Sequence, residues 1–183
     1  MIELRSIIQN KDAEKEVKKL YGDAFPLGEK MPYFILKNKA KKENADFYGV
    51  YDGDKFVGLL YCVKYRDILF VFYLAVSAGE RGHGYGSSIL NYVAEKFDEY
   101  RIVLNIEEVS EKYPDYQSRL KRKSFYEKNG FFSLDYQIKE GAVVYDMMCL
   151  SKSGREVTQE EYYKMMESYL GKGFYLVYRF ISR

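Results

Sequence analysis

The chain has no tryptophan, a single histidine and only two cysteines in 183 residues. So few soft ligands argue against a metal centre: Cys62 and Cys149 show no Cys-x-x-Cys spacing and have no histidine close in sequence. Both lie in apolar, strand-like runs and read as small buried residues of a reducing compartment. A membrane-crossing run is also missing. The longest apolar stretch, residues 68–76, is far below the ~20 residues a spanning helix needs. Met1 to Arg5 does not read as a secretory signal, so the expectation is a cytoplasmic protein with no membrane partner. Excess charge is lacking too: 29 Lys and Arg face 27 Asp and Glu, which gives no global pull toward nucleic acid.

Apolar residues are plentiful, at 47%, and 20 tyrosines bring apolar area with a polar tip. That is enough for one sizeable core, so a single domain over 1–183 is expected. Residues 2–8 read as a strand and residues 12–21 as a helix, with Asp12 at its cap. Pro26, Gly28 and Pro32 break the next stretch, which predicts a helix-rich, partly mobile connection. Asp52-Gly53-Asp54 between two apolar runs marks a hairpin. A further strand over 68–76 completes a mostly antiparallel meander.

The pattern then changes. A Gly-rich loop, 79–86, leads into a helix over about 85–100 and a strand over 101–109, which makes one βαβ unit. A helix over 118–129 stops at Gly130, and 131–138 with 143–150 form a closing hairpin. Thr158-Gln159-Glu160-Glu161 opens a tail helix with a capping box, and 174–181 reads as one more strand. Tyr162, Tyr163, Met165, Met166 and Tyr169 on that helix fit a core face; they could also form a partner or homodimer surface.

Gly82, Gly84 and Gly86 stand at alternate positions where strand turns to helix. Glycine permits positive φ, so successive amides can point into one concavity that suits anionic oxygens. The helix start adds unpaired N–H groups and its positive dipole end. Arg81 can add a charged donor, and the physics asks for a phosphate or pyrophosphate there. A Walker loop would need a Lys-Ser or Lys-Thr pair where Ser87-Ser88 stands. A dinucleotide fingerprint would need glycine at 87, and that fold repeats parallel units, although Glu107 sits at a suitable distance for it. A dinucleotide-binding oxidoreductase thus stays as the lesser alternative.

Arg81-Gly82-His83-Gly84-Tyr85-Gly86 matches Arg/Gln-x-x-Gly-x-Gly/Ala, and residues 73–77 resemble the strand before that loop in the GNAT acetyltransferase family. Ser124-Phe125-Tyr126-Glu127-Lys128-Asn129-Gly130-Phe131 resembles the family's Tyr-Glu-Lys-x-Gly-Phe signature. The resemblance covers about residues 1–150. It implies an α/β (α+β) fold with a mixed, mostly antiparallel sheet of about seven strands flanked by helices. Residues 151–183 would add a helix-plus-strand extension.

The resemblance also implies an acetyl-CoA-dependent N-acetyltransferase with no metal. Direct attack in a ternary complex would move the acetyl group to a primary amine of a small molecule or peptide. Backbone at Leu74, Ala75 and Val76 would bond the pantetheine arm. Arg81 and the amides of Gly82, His83, Gly84, Tyr85, Gly86 and Ser87 would hold the pyrophosphate, and Tyr126 would face the coenzyme sulfur. Family members often carry Asn and Ala where Arg119 and Arg122 stand, and these arginines could instead reach a coenzyme phosphate.

An amine acceptor must lose a proton, and the leaving thiolate must be stabilised. A phenol near pKa 10 is a weaker acid than a thiol near about 8.5, so Tyr126 reads first as a hydrogen-bond donor to the thiolate and second as a proton donor. Alternation puts Glu107, at the end of the fifth strand, in reach as a base, directly or through water. Glu29, Tyr33 and Glu108 are the acceptor-binding candidates. His83 lies in the phosphate loop, where its amide matters more than its ring. A non-catalytic acyl-CoA sensor would keep the same coenzyme site.

Overall fold

The computed structural model describes residues 1–26 and 29–175. Its elements are β1 (Ile2–Ser6), α1 (Lys11–Ala24), α2 (Tyr33–Lys39), β2 (Ala45–Asp52), β3 (Lys55–Tyr65), β4 (Ile68–Val76), α3 (Tyr85–Lys96), β5 (Arg101–Glu107), α4 (Tyr116–Lys128), β6 (Phe132–Glu140), β7 (Val143–Leu150) and α5 (Gln159–Leu170). A short 3-10 turn, Ala78–Glu80, follows β4. The strands form a seven-stranded sheet in the order β1-β2-β3-β4-β5-β7-β6. All pairings given for it are antiparallel save β4 with β5. The mixed sheet with flanking helices is thus the architecture the family resemblance implied.

The chain divides into two compact units, one of Met1–Lys64 with Val71–Lys96, the other of Tyr65–Phe70 with the chain from Phe97 onward. In the first unit β1 and β2 run antiparallel from Ile2↔Asp52 to Ser6↔Tyr48. The β2–β3 hairpin shifts register between Val50 and Tyr51, and Gly53 takes φ +61° at its turn. Helices cover both faces. A Cβ on Gly49 would meet Ala13 of α1, and one on Gly58 would meet Ile89 of α3; the hairpin register sets these two glycines on opposite faces. Ala13, Val17 and Tyr21 of α1, and Ile89, Leu90 and Val93 of α3, are the buried stripes.

Helix α1 starts earlier than its apolar period suggests. Asn10, rather than Asp12, is its cap: the Asn10 carboxamide oxygen accepts from the Ala13 amide at 2.9 Å. The connection to α2 is pinned by two tyrosines. Tyr73 Oη donates to Glu29 O at 2.8 Å and accepts from the Met31 amide at 3.1 Å, while Tyr21 Oη donates to Met31 O at 2.8 Å. Their rings pack edge-on at 5.1 Å, in a cluster that also takes in Phe25, Tyr33, Phe47 and Tyr61. Four of the 20 tyrosines meet here.

In the second unit Ile68–Phe70 of β4 run parallel to Arg101–Val103 of β5, which pairs antiparallel with β7, and β7 with β6. Helix α5 opens with the expected capping box between Thr158 and Glu161. Its Tyr162, Met165, Met166 and Tyr169 are at most 2% exposed, so this face is core, not a partner surface. Arg101, 3% exposed, is the buried ion that ties the tail to the sheet. Its five N–H groups meet five acceptors: two on Asp67, two on Glu161 and the carbonyl of Glu156, at 2.7–2.9 Å. The strand expected over 174–181 lies mostly outside the described residues; Phe174 and Tyr175, where it would begin, are helical.

Candidate active site

The loop after β4 is shaped by two left-handed glycines, Gly82 at φ +80° and Gly84 at φ +83°. A Cβ on either would meet no atom within 4 Å, so conformation, not space, demands glycine. Gly86 differs: it lies in the first turn of α3. The Arg81 amide bonds Ala78 O and the Ser88 amide bonds Gly84 O. Between them, the six amides of residues 82–87 have no acceptor among the described residues. Unpaired N–H groups beside a helix start form a cradle for oxyanions. The residues present therefore fit a diphosphate.

Arg81 caps the end of β4, its Nε donating to Val76 O at 3.3 Å. It also borders a pocket of about 510 Å³ that α1 lines with Glu16, Lys19 and Asp23. Its guanidinium forms no ion pair among the described residues, so its charge stays available to a ligand. Leu74, Ala75 and Val76 lie beyond the part of β4 that pairs with β5 and are half-buried. A Cβ on Gly58 would fall 2.4 Å from Ala75 O, so β3 must have glycine where it passes this stretch. Glu29 and Tyr33 also belong to this unit. The Glu29 carbonyl is held by Tyr73, while the Tyr33 ring joins the aromatic cluster and its hydroxyl donates to Glu14 O at 3.5 Å. Burial raises the Tyr33 phenol pKa, so it stays protonated.

The second unit holds the remaining candidates. Tyr126 of α4 is half-buried, with its ring against Phe125 at 5.2 Å and Phe131 at 5.8 Å. Its hydroxyl has no hydrogen-bond partner among the described residues. Burial pushes its pKa up, and Arg122 opposes this more weakly. Tyr126 is thus a neutral phenol with its O–H to give.

Glu107 ends β5 opposite Tyr145 and is 16% exposed. Arg119 Nη2 meets its Oε1 at 3.0 Å, and Arg122 Nη1 meets its Oε2 at 2.6 Å. Arg119 is further fixed by Asp115 at 2.9 Å, by Glu108 O at 3.1 Å and by the Tyr113 ring 3.9 Å below it. Arg122 remains 49% exposed. Glu108 accepts from Lys112 at 2.6 Å and from Tyr113 at 2.9 Å; these bonds, Lys112 foremost, hold its carboxyl below the usual carboxylate range. Sequence spacing gave no sign of the Glu107–Arg119–Arg122 ion pairs or of Tyr113 stacking, because they join the end of β5 to α4 and the loop between them. Among the described residues no group of three His, Cys, Asp or Glu could hold a metal, and no helix is long and apolar enough to cross a membrane.

A family profile described as "Acetyltransferase (GNAT) domain" matches residues 43–132. Curated protein sequences give no significant match. Among solved structures, a Bacteroides thetaiotaomicron protein assigned to the GNAT acetyltransferases aligns with a TM-score of 0.74 at 20% identity, over 96% of this chain and 98% of its own. The ribosomal-protein-S18-alanine N-acetyltransferase of Escherichia coli aligns with a TM-score of 0.61 at 14% identity, over 86% and 99%. An aminoglycoside 6'-N-acetyltransferase complexed with coenzyme A reaches 0.65 at 14% identity, over 86% and 99%. At such identities these likenesses establish the fold.

Proposed function

We propose, from the match of residues 43–132 to the GNAT acetyltransferase profile, that the chain is an N-acetyltransferase moving an acetyl group from acetyl-CoA to a primary amine of a small molecule or peptide. The observation that carries this reading is the row of six amides, 82–87, that face no acceptor among the described residues. When bound, the coenzyme supplies an acetyl thioester, open to attack by a neutral amine.

The chain's own residues then have separable tasks. The loop amides and Arg81 bind the diphosphate. Peptide groups at Leu74–Val76 bond the pantetheine arm. Tyr126 donates its hydroxyl hydrogen bond to the sulfur as negative charge builds there, and passes the proton only secondarily. Glu107, with both oxygens taken by guanidinium groups, is better suited to holding Arg119 and Arg122 than to accepting a proton. Arg122, the exposed one of the two, is the candidate for a coenzyme phosphate. The acceptor amine therefore reacts in its neutral form, with water taking its proton. The segment from Glu29 to Tyr33, fixed by Tyr73 and Tyr21, forms a wall for the acceptor.

The test is turnover of acetyl-CoA with a panel of amines, followed by thiol release. Amine-dependent release supports an enzyme. Tight coenzyme binding without release for any amine would point to a sensor and remove the catalytic assignment.

A further inference from the structure

We infer that the β2–β3 turn is a buttress that fixes the anion-binding loop in its working shape, with Asp52 and Tyr85 as the positioning pair. The inference rests on the coenzyme reading above, since it concerns how that loop is held.

A loop with six amides in a row that find no acceptor among the described residues does not hold its shape by itself. Aligned N–H dipoles repel, and left-handed glycines are the freest residues in the chain. Something outside must fix it. Three contacts do so, all from one hairpin. Tyr85, the first residue of α3, donates its hydroxyl to Asp52 Oδ2 at 3.2 Å. Lys55 Nζ meets Glu80 Oε2 at 2.7 Å, just before the loop. The Ser77 amide donates to Val57 O at 2.9 Å. The turn is itself fastened to β1: Arg5 Nη2 donates to Gly53 O at 2.9 Å and to Asp54 at 3.3 Å. Asp52 also takes the amino group of Met1. A chain of polar contacts therefore runs from β1 through the turn to the base of the loop.

Charge makes the arrangement telling. Asp52 and Glu80 are acids set beside a loop suited to anions. Acting through space alone, they oppose a diphosphate, so removing one would tighten binding. Acting as supports, they keep the amides aimed, so removing one would loosen it. The two roles predict opposite signs.

Calorimetry of coenzyme A with the wild-type chain, Asp52→Ala and Tyr85→Phe separates them. Tyr85→Phe keeps the ring and loses only the hydroxyl, which guards against a folding artefact; melting temperatures check both variants. The expected result is a Kd raised roughly 3- to 10-fold in each variant, the worth of one hydrogen bond. Turnover of S-acetylpantetheine, which has no diphosphate, should be unchanged in Asp52→Ala. Unchanged or tighter coenzyme A binding in the variants would overturn the buttress, as would an equal loss with S-acetylpantetheine. Wild-type protein that bound no coenzyme A would instead sink the coenzyme reading, and this inference with it.

Discussion

Tyr126 and Glu107 show how environment assigns work to a side chain. Tyr126 has lost water around its ring but has no described partner for its hydroxyl. A phenol kept neutral and unengaged can give its hydrogen bond where charge develops. Tyr126→Phe should lower kcat roughly 10²-fold, the usual cost of one such donor, with coenzyme affinity unchanged by calorimetry. Full turnover in that variant would take Tyr126 out of the chemistry. Glu107 is the converse, a carboxylate held by two guanidinium groups. Glu107→Gln should therefore keep the acidic limb of the pH–rate profile, which the proposed mechanism gives to the acceptor amine. Disappearance of the limb would restore Glu107 as the base.

Among the elements, local signals were the readable ones. The Asp52-Gly53 turn, the capping box at Thr158 and Glu161, and the glycine loop each act within a few residues, and each stands where the sequence put it. Long-range partners were not readable. Arg101 looked like the first residue of a strand, yet it is a buried cation whose acceptors come from 34, 55 and 60 residues away. That cluster makes α5 part of the unit, and it gives the tail a pH signature. Hydrogen bonds from Arg101 hold Glu161 at about 2, below its ordinary 4.5. A lowered folded-state pKa means the stabilisation is fully present above about 4.5 and is lost as pH falls toward about 2. Glu161→Gln should cost about 1–2 kcal/mol at pH 7, allowing for a carboxylate that is 33% exposed. In urea titrations the gap between variant and wild type should shrink as pH falls through about 2 and close below it. A gap that persists there would mean the contact is not ionic.

For the molecule as a whole, composition bounded the answer and two motifs did the rest. A near-balanced charge and sparse Cys and His left a globular α/β chain; the glycine loop and the Tyr126 signature narrowed that to one fold. The sheet order agrees with it. The segment around Glu29 and Met31 was least legible, because its backbone carbonyls and amide are held by Tyr73 and Tyr21, contacts that leave no residue-type pattern.

If backbone amides at the start of α3 hold an acyl-CoA by its diphosphate, calorimetry of acetyl-CoA with the wild type and with Gly84→Val will show it. Gly84 sits at φ +83°, where a β-branched residue is strained, so the variant must rearrange the loop. Binding to the wild type should saturate, with a loss of roughly 10-fold or more in the variant from a strain of about 1–3 kcal/mol. Equal affinity in the two proteins would rule out the amide cradle.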